Sequence, residues 1–313
     1  MKEKELILSI IVPVYNAERF LEECLRSLYM QDMPTDEYEV IAVDNGSRDS
    51  SAAIINRLQT EYPNLRKVTL EVNQLPSGGR NAGLDAAQGK YLMFVDSDDY
   101  LYPNVLKSLV EIMDVDNLDF AHLDCDFLID DKIIKGHYTD ATSVVSGIDM
   151  YHMNLPCMEV SWSKIYRRSF LNNNHLRFVK GLLFEDDEFS NRMYSFAKYA
   201  RHIPVVTHVF RKHPYSATQK KVTLSALSSN LVEIKTLYDD LFCMPHIIVD
   251  DKMRNDISLR IRASICEIYQ RYALLGPDEQ KTAKQIMRRT ITYRFLPFMS
   301  RKRYVLLKLG IIR

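Results

Sequence analysis

Two acidic segments carry side chains that could bind a metal ion or move a proton. Asp96 and Asp98 are separated by one residue, and carboxylates at this spacing can reach one divalent cation whose remaining positions go to water and phosphate oxygens. The run Glu185-Asp186-Asp187-Glu188 places four acids together. Like charges held this close raise one another's pKa, so one of them is a candidate general base.

A third segment, residues 77–83, is suited to an anion because it combines glycines with Arg80. Glycines at a helix start let a ligand approach backbone N–H groups, and a guanidinium is a forked donor. All three segments also have ordinary structural interpretations: a turn or cap, a helix first turn favoured by the dipole, and a glycine-rich loop. Neither GxGxxG nor GxxxxGK[ST] occurs, which argues against a dinucleotide Rossmann site and a P-loop.

The elements that must position these side chains alternate between strand and helix. Continuous apolar runs predict buried strands. Each of the first two runs is followed by a segment whose apolar residues recur at helical spacing. The four predicted strands are Leu6–Val14, Glu39–Val43, Val68–Val72 and Tyr91–Val95. Asn16 is predicted to cap a helix over Ala17–Met30, and a short helix is expected around Asn81–Ala87. The order βαβαβαβ predicts an α/β fold, a mostly parallel sheet with flanking helices and a ligand crevice beyond the carboxyl ends of its strands.

The rest of the chain is predicted to extend the sheet and then to turn helical. Strands are expected near Phe120–Leu123 and Val160–Tyr166. From about residue 222 onward the pattern predicts the helices Leu224–Phe242, Lys252–Leu275 and Asp278–Thr292, broken by Pro and Gly. We therefore expect a domain over residues 1–220 and a C-terminal helical region over residues 221–313.

The composition is typical of a globular protein, and its balanced charge argues against general binding to nucleic acid. Of 313 residues, 46% are hydrophobic and 26% charged, and 41 basic residues balance 41 acidic ones. The five cysteines form no CxxC pair, so neither a disulfide framework nor a zinc site is indicated and a reducing compartment fits best. Because the N-terminal residues do not read as a signal peptide, a cytoplasmic location is expected.

The tail over residues 276–313 has ten basic and two acidic side chains. Its apolar residues are interleaved with the basic ones, and a basic amphipathic segment can lie on an anionic membrane surface. Packing of a solvated helix on the body of the protein is the alternative. The sequence thus leaves open a peripheral contact with the cytoplasmic face of a membrane.

Five segments together resemble the family 2 glycosyltransferases of GT-A fold, over roughly residues 5–220. They are Ser9–Asn16, Val43–Ser50, Arg80–Gly83, Phe94–Asp99 and Glu185–Asp186 with Phe189, in the order and spacing of the family. The resemblance implies a nucleotide-binding half over residues 1–100 and an acceptor-binding half over residues 101–220.

The resemblance also implies roles for single residues. Pro13, Tyr15 and Asp44 match positions that hold the nucleotide base and ribose, and Arg80 matches one beside the uridine or phosphate. Asp96 and Asp98 match the DxD motif, the first near the ribose and the second on Mn²⁺ or Mg²⁺. Asp186 matches the base that deprotonates the acceptor hydroxyl. Asn45 departs from the pattern, because family members often have a second aspartate there.

Further candidates come from residue type alone and keep two interpretations each. Trp162 and Lys164 could line a sugar pocket or close the core. His213, near Arg211, could be a metal ligand or a phosphate contact, and the structural interpretation is favoured for a lone histidine. Glu185, beside Asp186, is a further candidate for an acceptor or phosphate contact.

The expected reaction is an inverting transfer of a sugar from a nucleotide sugar, with UDP as the expected nucleotide, to a hydroxyl of a glycan or lipid-linked glycan. Surface polysaccharide synthesis would fit this chemistry. A nucleotidyltransferase that makes nucleotide sugars, and a non-catalytic module that binds nucleotide or membrane, are the two alternatives.

Overall fold

The structure is a computed structural model, and it describes residues 6–136, 140–153, 155, 157, 159–182, 185–213, 224–243, 250–292, 295, 297 and 299. The chain divides into two compact units. The first unit comprises Met1–Lys180 with Phe189–Pro214, and the second comprises Gly181–Glu188 with Tyr215–Arg313. The division predicted at residue 220 stays a prediction.

One mixed sheet of nine strands forms the first unit, as far as the described residues go. The strands are β1 (Leu8–Val14), β2 (Tyr38–Asn45), β3 (Leu65–Leu70), β4 (Tyr91–Phe94), β5 (Tyr100–Leu101), β6 (Phe120–Ile129), β7 (Lys132–Ile134), β8 (Lys164–Arg167) and β9 (Ala200–Arg211). They lie in the order β3-β2-β1-β4-β8-β6-β9-β5, and β7 pairs with β6. The first four strands are parallel, whereas β8 is antiparallel to both its neighbours.

Helices accompany the strands along the chain. In the first unit they are α1 (Leu21–Ser27), α2 (Ser51–Glu61), α3 (Leu75–Ala86), α4 (Leu106–Val115), α5 (Gly147–His152) and α6 (Arg168–Asn173). The helix α7 (Asp186–Phe196) follows α6. The predicted α/β fold with a mostly parallel sheet and flanking helices is confirmed for the β1–β4 half, where every residue of β2 is buried as expected of a strand covered on both faces.

Two sequence predictions in this unit are wrong. Asn16 does not cap a helix: its φ is 52°, its Oδ1 accepts a hydrogen bond from the Arg48 N–H, and α1 begins only at Leu21. The short helix expected near Asn81 begins six residues earlier, at Leu75. Turn geometry, which apolar spacing does not encode, determines both helix starts.

Glycines inside α3 explain why this helix can lie against the sheet. A Cβ added at Gly83 would come within 2.2 Å of the Ile11 Cγ2, so a larger residue would push α3 away from β1. The Gly78 N–H already donates to the Gln74 carbonyl at 3.3 Å. The glycine segment therefore serves helix–strand packing, and the sequence-based expectation that its amides face an anion is not supported at Gly78.

Three helices dominate the described part of the second unit: α8 (Leu224–Cys243), α9 (Asp251–Leu274) and α10 (Pro277–Thr290). This confirms the predicted helical C-terminal region. Asp250 caps α9, because its Oδ1 accepts from the Met253 N–H at 2.9 Å. The buried face of α9 repeats every three or four residues, as an amphipathic helix requires; it consists of Met253, Ile257, Ile261, Ser264, Ile265, Ile268 and Tyr272.

Within the residues described, no helix combines the length and the apolar character needed to cross a bilayer. The tail residues 301–313, which carry five of the ten basic side chains of the predicted membrane contact, lie outside the described residues.

Candidate active site

The carboxyl ends of β1, β2 and β4 meet at one edge of the sheet in the first unit. Val14 is opposite Asp44 in the parallel pair β1–β2, and Ile11 is opposite Phe94 in the pair β1–β4. The polar residues that follow these strands therefore share an edge, as the strand order predicted. This edge is where ligands bind in open α/β sheets.

Asp44 and Asn45 end β2 and are both buried, but only one of them has a carboxylate. Asp44 Oδ1 accepts from the Ser47 N–H at 3.0 Å, and Lys67 Nζ lies 4.0 Å from the other Asp44 oxygen. On the β1 side, Tyr15 is 41% exposed and Pro13 is half-buried. An exposed ring beside a fixed carboxylate can stack on a planar base while the carboxylate binds hydroxyl groups.

Asn45 connects β2 to the start of α3 through its amide. Its Nδ2 donates to the Leu75 carbonyl at 2.8 Å and to Asn73 Oδ1 at 3.2 Å, while its Oδ1 accepts from the Gln74 N–H at 2.9 Å. An aspartate could not donate to Leu75. The departure from the family pattern at this position therefore has a structural reason.

Arg80 projects from α3 to the end of β4 and binds Asp96. The guanidinium, only 4% exposed, lies 2.8 Å from Asp96 Oδ1 and over the Phe178 ring at 5.7 Å from its centroid. A buried guanidinium fixes one carboxylate oxygen, and Asp96 keeps 28% of its side chain exposed. The predicted donor residues Arg80 and Asp96 are thus joined in one ion pair.

Asp98 pairs with His213, which follows β9. The distance from His213 Nε2 to Asp98 Oδ2 is 2.9 Å, and the Asp98 side chain is 34% exposed. The Phe20 ring covers this histidine, with ring centroids 4.7 Å apart. The sequence proposed His213 as a ligand or phosphate contact, and the structure places it against the carboxylate assigned to the metal.

Arg211 fixes the backbone of the same segment. Its Nε donates to the Asp98 carbonyl at 3.1 Å, and its backbone N–H donates to Asp99 Oδ1 at 2.8 Å. Burial, with the negative charges of Asp98 and Asp96, raises the pKa of Asp99 well above its usual range. The end of β9 therefore orients the acidic segment that follows β4.

Sequence reasoning missed two partners of Arg211 on the segment that leads into and forms α1. Glu23 accepts from Arg211 Nη2 at 2.6 Å, and the Phe20 centroid lies 4.8 Å from the guanidinium. Phe20 is the residue before α1 and Glu23 lies in its first turn, three residues on. That spacing was the available signal, but it does not reveal a partner 188 residues away.

Trp162 and Lys164 lie in the interior of the first unit. Trp162 is 4% exposed and stacks on Phe210 with centroids 5.8 Å apart, and Lys164 Nζ donates to the Val160 carbonyl at 2.6 Å from a fully buried position. These contacts match the core interpretation of both residues. Their role toward an acceptor stays a prediction.

The acidic run at the start of α7 belongs to the second unit. Glu185 is buried, Asp186 is half-buried, and Asp187 forms an ion pair with Arg260 of α9. Three acids occupy the first turn of α7, where the helix dipole favours negative charge. The role of Asp186 as a base is not tested by these contacts and stays a prediction.

The side chains at the end of β4 offer atoms that a divalent cation can bind, but too few of them to hold the cation without substrate. Asp98 offers carboxylate oxygen and His213 offers imidazole nitrogen, with Asp96 two residues away. Among the described residues no group of three or more His, Cys, Asp or Glu side chains could hold a metal alone. Mn²⁺ or Mg²⁺ held by so few protein ligands completes its shell with water and phosphate oxygens.

The fold is of the GT-A type. A profile of the family described as glycosyl transferase family 2 matches residues 9–201, well over half of the chain. The chain belongs to glycosyltransferase family 2.

Named relatives of this chain come from several bacteria. The chain is 32% identical over 187 residues to the uncharacterized glycosyltransferase YibD of Escherichia coli K12, covering 57% of this chain and 54% of that protein. It is 31% identical over 184 residues to the poly(ribitol-phosphate) beta-N-acetylglucosaminyltransferase TarS of Staphylococcus aureus Mu50, covering 58% of this chain and 31% of TarS. The matches thus span about half of one relative and a third of the other.

Solved structures of S. aureus TarS share the fold. TarS residues 1–349 in complex with UDP-GlcNAc superpose with a TM-score of 0.71 at 21% identity, covering 98% of this chain and 88% of that one. The complex with UDP gives a TM-score of 0.68 at 22% identity, with the same coverage. The predicted GT-A fold is confirmed by this similarity.

Proposed function

We propose that this chain is an inverting glycosyltransferase that moves a sugar from a nucleotide sugar, with UDP as the nucleotide, to an acceptor hydroxyl. The observation that carries the proposal is the meeting of Arg80, Asp96, Asp98, Arg211 and His213 at one strand end. Support for UDP comes from the fold shared with TarS, whose structures were solved with UDP and UDP-GlcNAc.

Donor binding is assigned to the edge formed by β1, β2 and β4. Tyr15 and Pro13 hold the base, Asp44 the ribose, and Asp96 a sugar hydroxyl of the nucleotide. The Arg80 guanidinium holds Asp96 in place, and its positive charge is assigned to the diphosphate. The charge of an anionic donor is thereby opposed without a glycine-rich phosphate loop.

Asp98 and His213 would hold Mn²⁺ or Mg²⁺, which when bound supplies Lewis-acid stabilisation of the charge that develops on the leaving diphosphate. Arg211 keeps the Asp98 backbone in place through its hydrogen bond to the carbonyl. The imidazole of His213 lies against the Phe20 ring, which limits its rotation. These contacts pre-organise the donor atoms before substrate arrives.

Asp186 is the proposed base. It takes the proton of an acceptor hydroxyl whose oxygen attacks the anomeric carbon from the side opposite the leaving group, so the configuration inverts. Glu185, adjacent to it and buried, is a further candidate for an acceptor contact. Trp162 and Lys164 would act on an acceptor only if the buried packing around them opens.

The acceptor is proposed to be a glycan or lipid-linked glycan in surface polysaccharide synthesis. Support comes from relatives that are named as poly(ribitol-phosphate) glycosyltransferases, a name that gives a polymer as the acceptor. We propose a cytoplasmic enzyme that can contact the membrane through its basic tail. Deletion of residues 301–313 would then abolish binding to anionic vesicles while activity on a soluble acceptor survives, and retained vesicle binding would exclude this contact.

Thermal unfolding with UDP, GDP, CDP, dTDP and ADP, each with and without Mn²⁺, tests donor binding. A ligand at 100 times its dissociation constant adds about 2.7 kcal/mol of stability. Of the five nucleotides, we expect only UDP to raise the Tm, and only when Mn²⁺ is present. No shift with any nucleotide would contradict the proposal and favour a non-catalytic module.

The released product separates the two enzyme classes. Incubation with a UDP-sugar and an acceptor should release UDP as the sugar is transferred. Pyrophosphate formation from a sugar phosphate and UTP would instead identify a nucleotidyltransferase, for which Asp186 would have no role.

A further inference from the structure

Two cysteines that are far apart in the sequence meet inside the first unit. Cys125 lies in β6 and Cys157 lies in the loop before β8, and their sulfur atoms are 3.6 Å apart. Both thiols are free. The glycosyl transfer proposed above uses neither of them, and their separation of 32 residues hides the pair from a search for CxxC spacing.

The two thiols differ in a way that suits stepwise oxidation. Cys125 is 6% exposed and its strand is paired with β9, where it lies opposite His208. Cys157 is half-buried. The hydrogen bond from the Cys125 thiol and the positive charge of Lys164 lower the pKa of Cys157 below its usual value, against the opposing effect of burial. Cys157 is thus the more exposed thiol and the one more readily deprotonated.

We propose that Cys125 and Cys157 are a site of reversible thiol oxidation, at which a hydroperoxide converts the two thiols to a disulfide. The Cys157 thiolate attacks the peroxide, the O–O bond breaks, and Cys157 becomes a sulfenic acid as water or an alcohol leaves. The Cys125 sulfur then attacks the sulfenic sulfur, the S–O bond breaks, and the thiol proton leaves with the hydroxide as water. The two sulfurs give up two electrons and the peroxide accepts them.

Cys157 is the residue expected to make the movement that the bond requires. A disulfide needs its sulfurs about 2.05 Å apart, so one side must move by about 1.5 Å. Cys125 is held by strand pairing, whereas Cys157 lies in a loop at a φ of 56°, which is uncommon for a residue with a Cβ. Movement is therefore expected in the loop.

A bond at this place would restrain Cys157 and, through its contacts, the segment of residues 159–163. Ser163 Oγ, one residue before β8, donates to the Cys157 carbonyl at 2.8 Å, and Ser190 Oγ of α7 donates to the Glu159 carbonyl at 2.9 Å. This segment carries Trp162, whose ring lies 5.4 Å from that of His208. Oxidation would add a covalent link from Cys157 to β6.

Hydrogen peroxide treatment of the full-length folded protein tests the proposal, and the assay needs no glycosyl donor. Of the five cysteines, two should disappear from a thiol count made in denaturant, and the mass should fall by two hydrogen atoms. Digestion should yield one linked peptide pair containing Cys125 and Cys157. A dithiol reductant should restore both thiols.

Three variants separate this outcome from other oxidation. Cys157→Ser should lose no thiol pair, and Cys125→Ser should leave a sulfenic acid on Cys157 that a nucleophilic trap captures. Cys266→Ser, which removes an exposed thiol on α9, should still form the link. An unchanged thiol count in the unsubstituted protein, a link between other cysteines, or a sulfinic acid at Cys157 without a link would each overturn the proposal.

Discussion

Carboxylates gather at two places in this chain, and different interactions stabilise them. At the end of β4, Asp96 pairs with Arg80 of α3 and Asp98 with His213 beyond β9. At the start of α7, the acids are consecutive in sequence and lie in a helix first turn, where the dipole favours them. The first cluster is assembled from distant segments, whereas the second is consecutive in sequence and has the ion pair of Asp187 with Arg260 in addition to its helix.

The positions of Asp96 and Asp98 are therefore set by tertiary pairing, whereas the acids of α7 are brought together by the helix backbone. Substitutions far from Asp96 and Asp98 should therefore disturb the first cluster. In the second, neighbouring acids should differ sharply in importance, because only the one that faces an acceptor can serve as a base. The predictions below test this contrast in order of decreasing effect.

Asp186→Asn should cause the largest loss. Removing a general base lowers turnover by about two to four orders of magnitude, and affinity for the nucleotide should be unchanged. Steady-state transfer rates and nucleotide binding measure the two quantities.

Asp187→Asn is the matched control, because it makes the same chemical change one residue away. Asp187 is ion-paired to Arg260, and loss of a partly exposed pair costs about 1 kcal/mol or less of unfolding free energy. Turnover should stay close to that of the unsubstituted chain. Equal losses in the two variants would contradict the special role of Asp186.

Asp98→Ala should remove the metal dependence of nucleotide binding. Substitution of a residue that only orients a metal ligand typically lowers metal affinity about 10–100-fold. Loss of the ligand itself should therefore lower it by about 100-fold or more. Titration of UDP at several Mn²⁺ concentrations measures this.

Glu111→Ala, which removes an exposed acid on α4, is the control for loss of one negative charge. It should bind UDP and Mn²⁺ as the unsubstituted chain does. If Asp98→Ala retains the Mn²⁺ dependence, the metal assignment at the end of β4 is wrong.

The sequence alone was enough for the parts of the fold and site that depend on local pattern. Buried apolar runs predicted β1, β2 and β4 to within a few residues, and acidic spacing selected Asp96, Asp98 and Asp186. A continuous apolar run suffices there because β1, β2 and β4 are buried on both faces.

Pairings across the sheet could not be predicted in this way. The sequence did not predict β9 as a strand, although it is 12 residues long, because its apolar residues neither alternate strictly nor form one continuous run. The contacts of Arg211 and His213 with the β4 end depend on where β9 lies in the sheet. The proximity of Cys125 to Cys157 depends on a loop conformation with positive φ, for which the sequence has no glycine.

His208 shows how the β4 end depends on a distant residue, and it predicts a pH dependence of stability. Its Nε2 lies 3.2 Å from the Phe94 carbonyl and its Nδ1 lies 2.9 Å from Thr207 Oγ1. Burial lowers the pKa of His208 to about 4, against an ordinary value of 6.5. Between these values the unfolded chain binds a proton that the folded chain does not, so stability is full above pH 6.5 and falls as the pH drops toward 4.

Between pH 7 and pH 4 this proton uptake lowers the unfolding free energy by about 3 kcal/mol. The unfolding free energy, measured with urea, should fall between pH 7 and pH 4. In His208→Asn this fall should be smaller by about 3 kcal/mol, because asparagine can donate to the Phe94 carbonyl and does not titrate.

The His202→Asn control should change the pH profile with the opposite sign. Burial alone would lower the pKa of His202, but its hydrogen bonds to Asp124 and the Asp140 carbonyl raise it above the usual value. Its contribution is therefore complete below pH 6.5 and is lost as the pH rises through the raised pKa. Parallel profiles for the unsubstituted chain and His208→Asn would show that His208 titrates normally in the fold.

Asn45→Asp is expected to have the smallest effect. It tests whether a contact between β2 and the start of α3 helps to place Arg80 beside Asp96. The variant restores the residue that the family often has, yet a carboxylate cannot donate to the Leu75 carbonyl. Loss of this hydrogen bond should lower the unfolding free energy by about 1–3 kcal/mol. Asn56→Asp makes the same change at an exposed position on α2 and should stay within about 0.5 kcal/mol. Equal stability of both variants would mean that the packing of Gly83 on Ile11, without Asn45, suffices to place Arg80 beside Asp96.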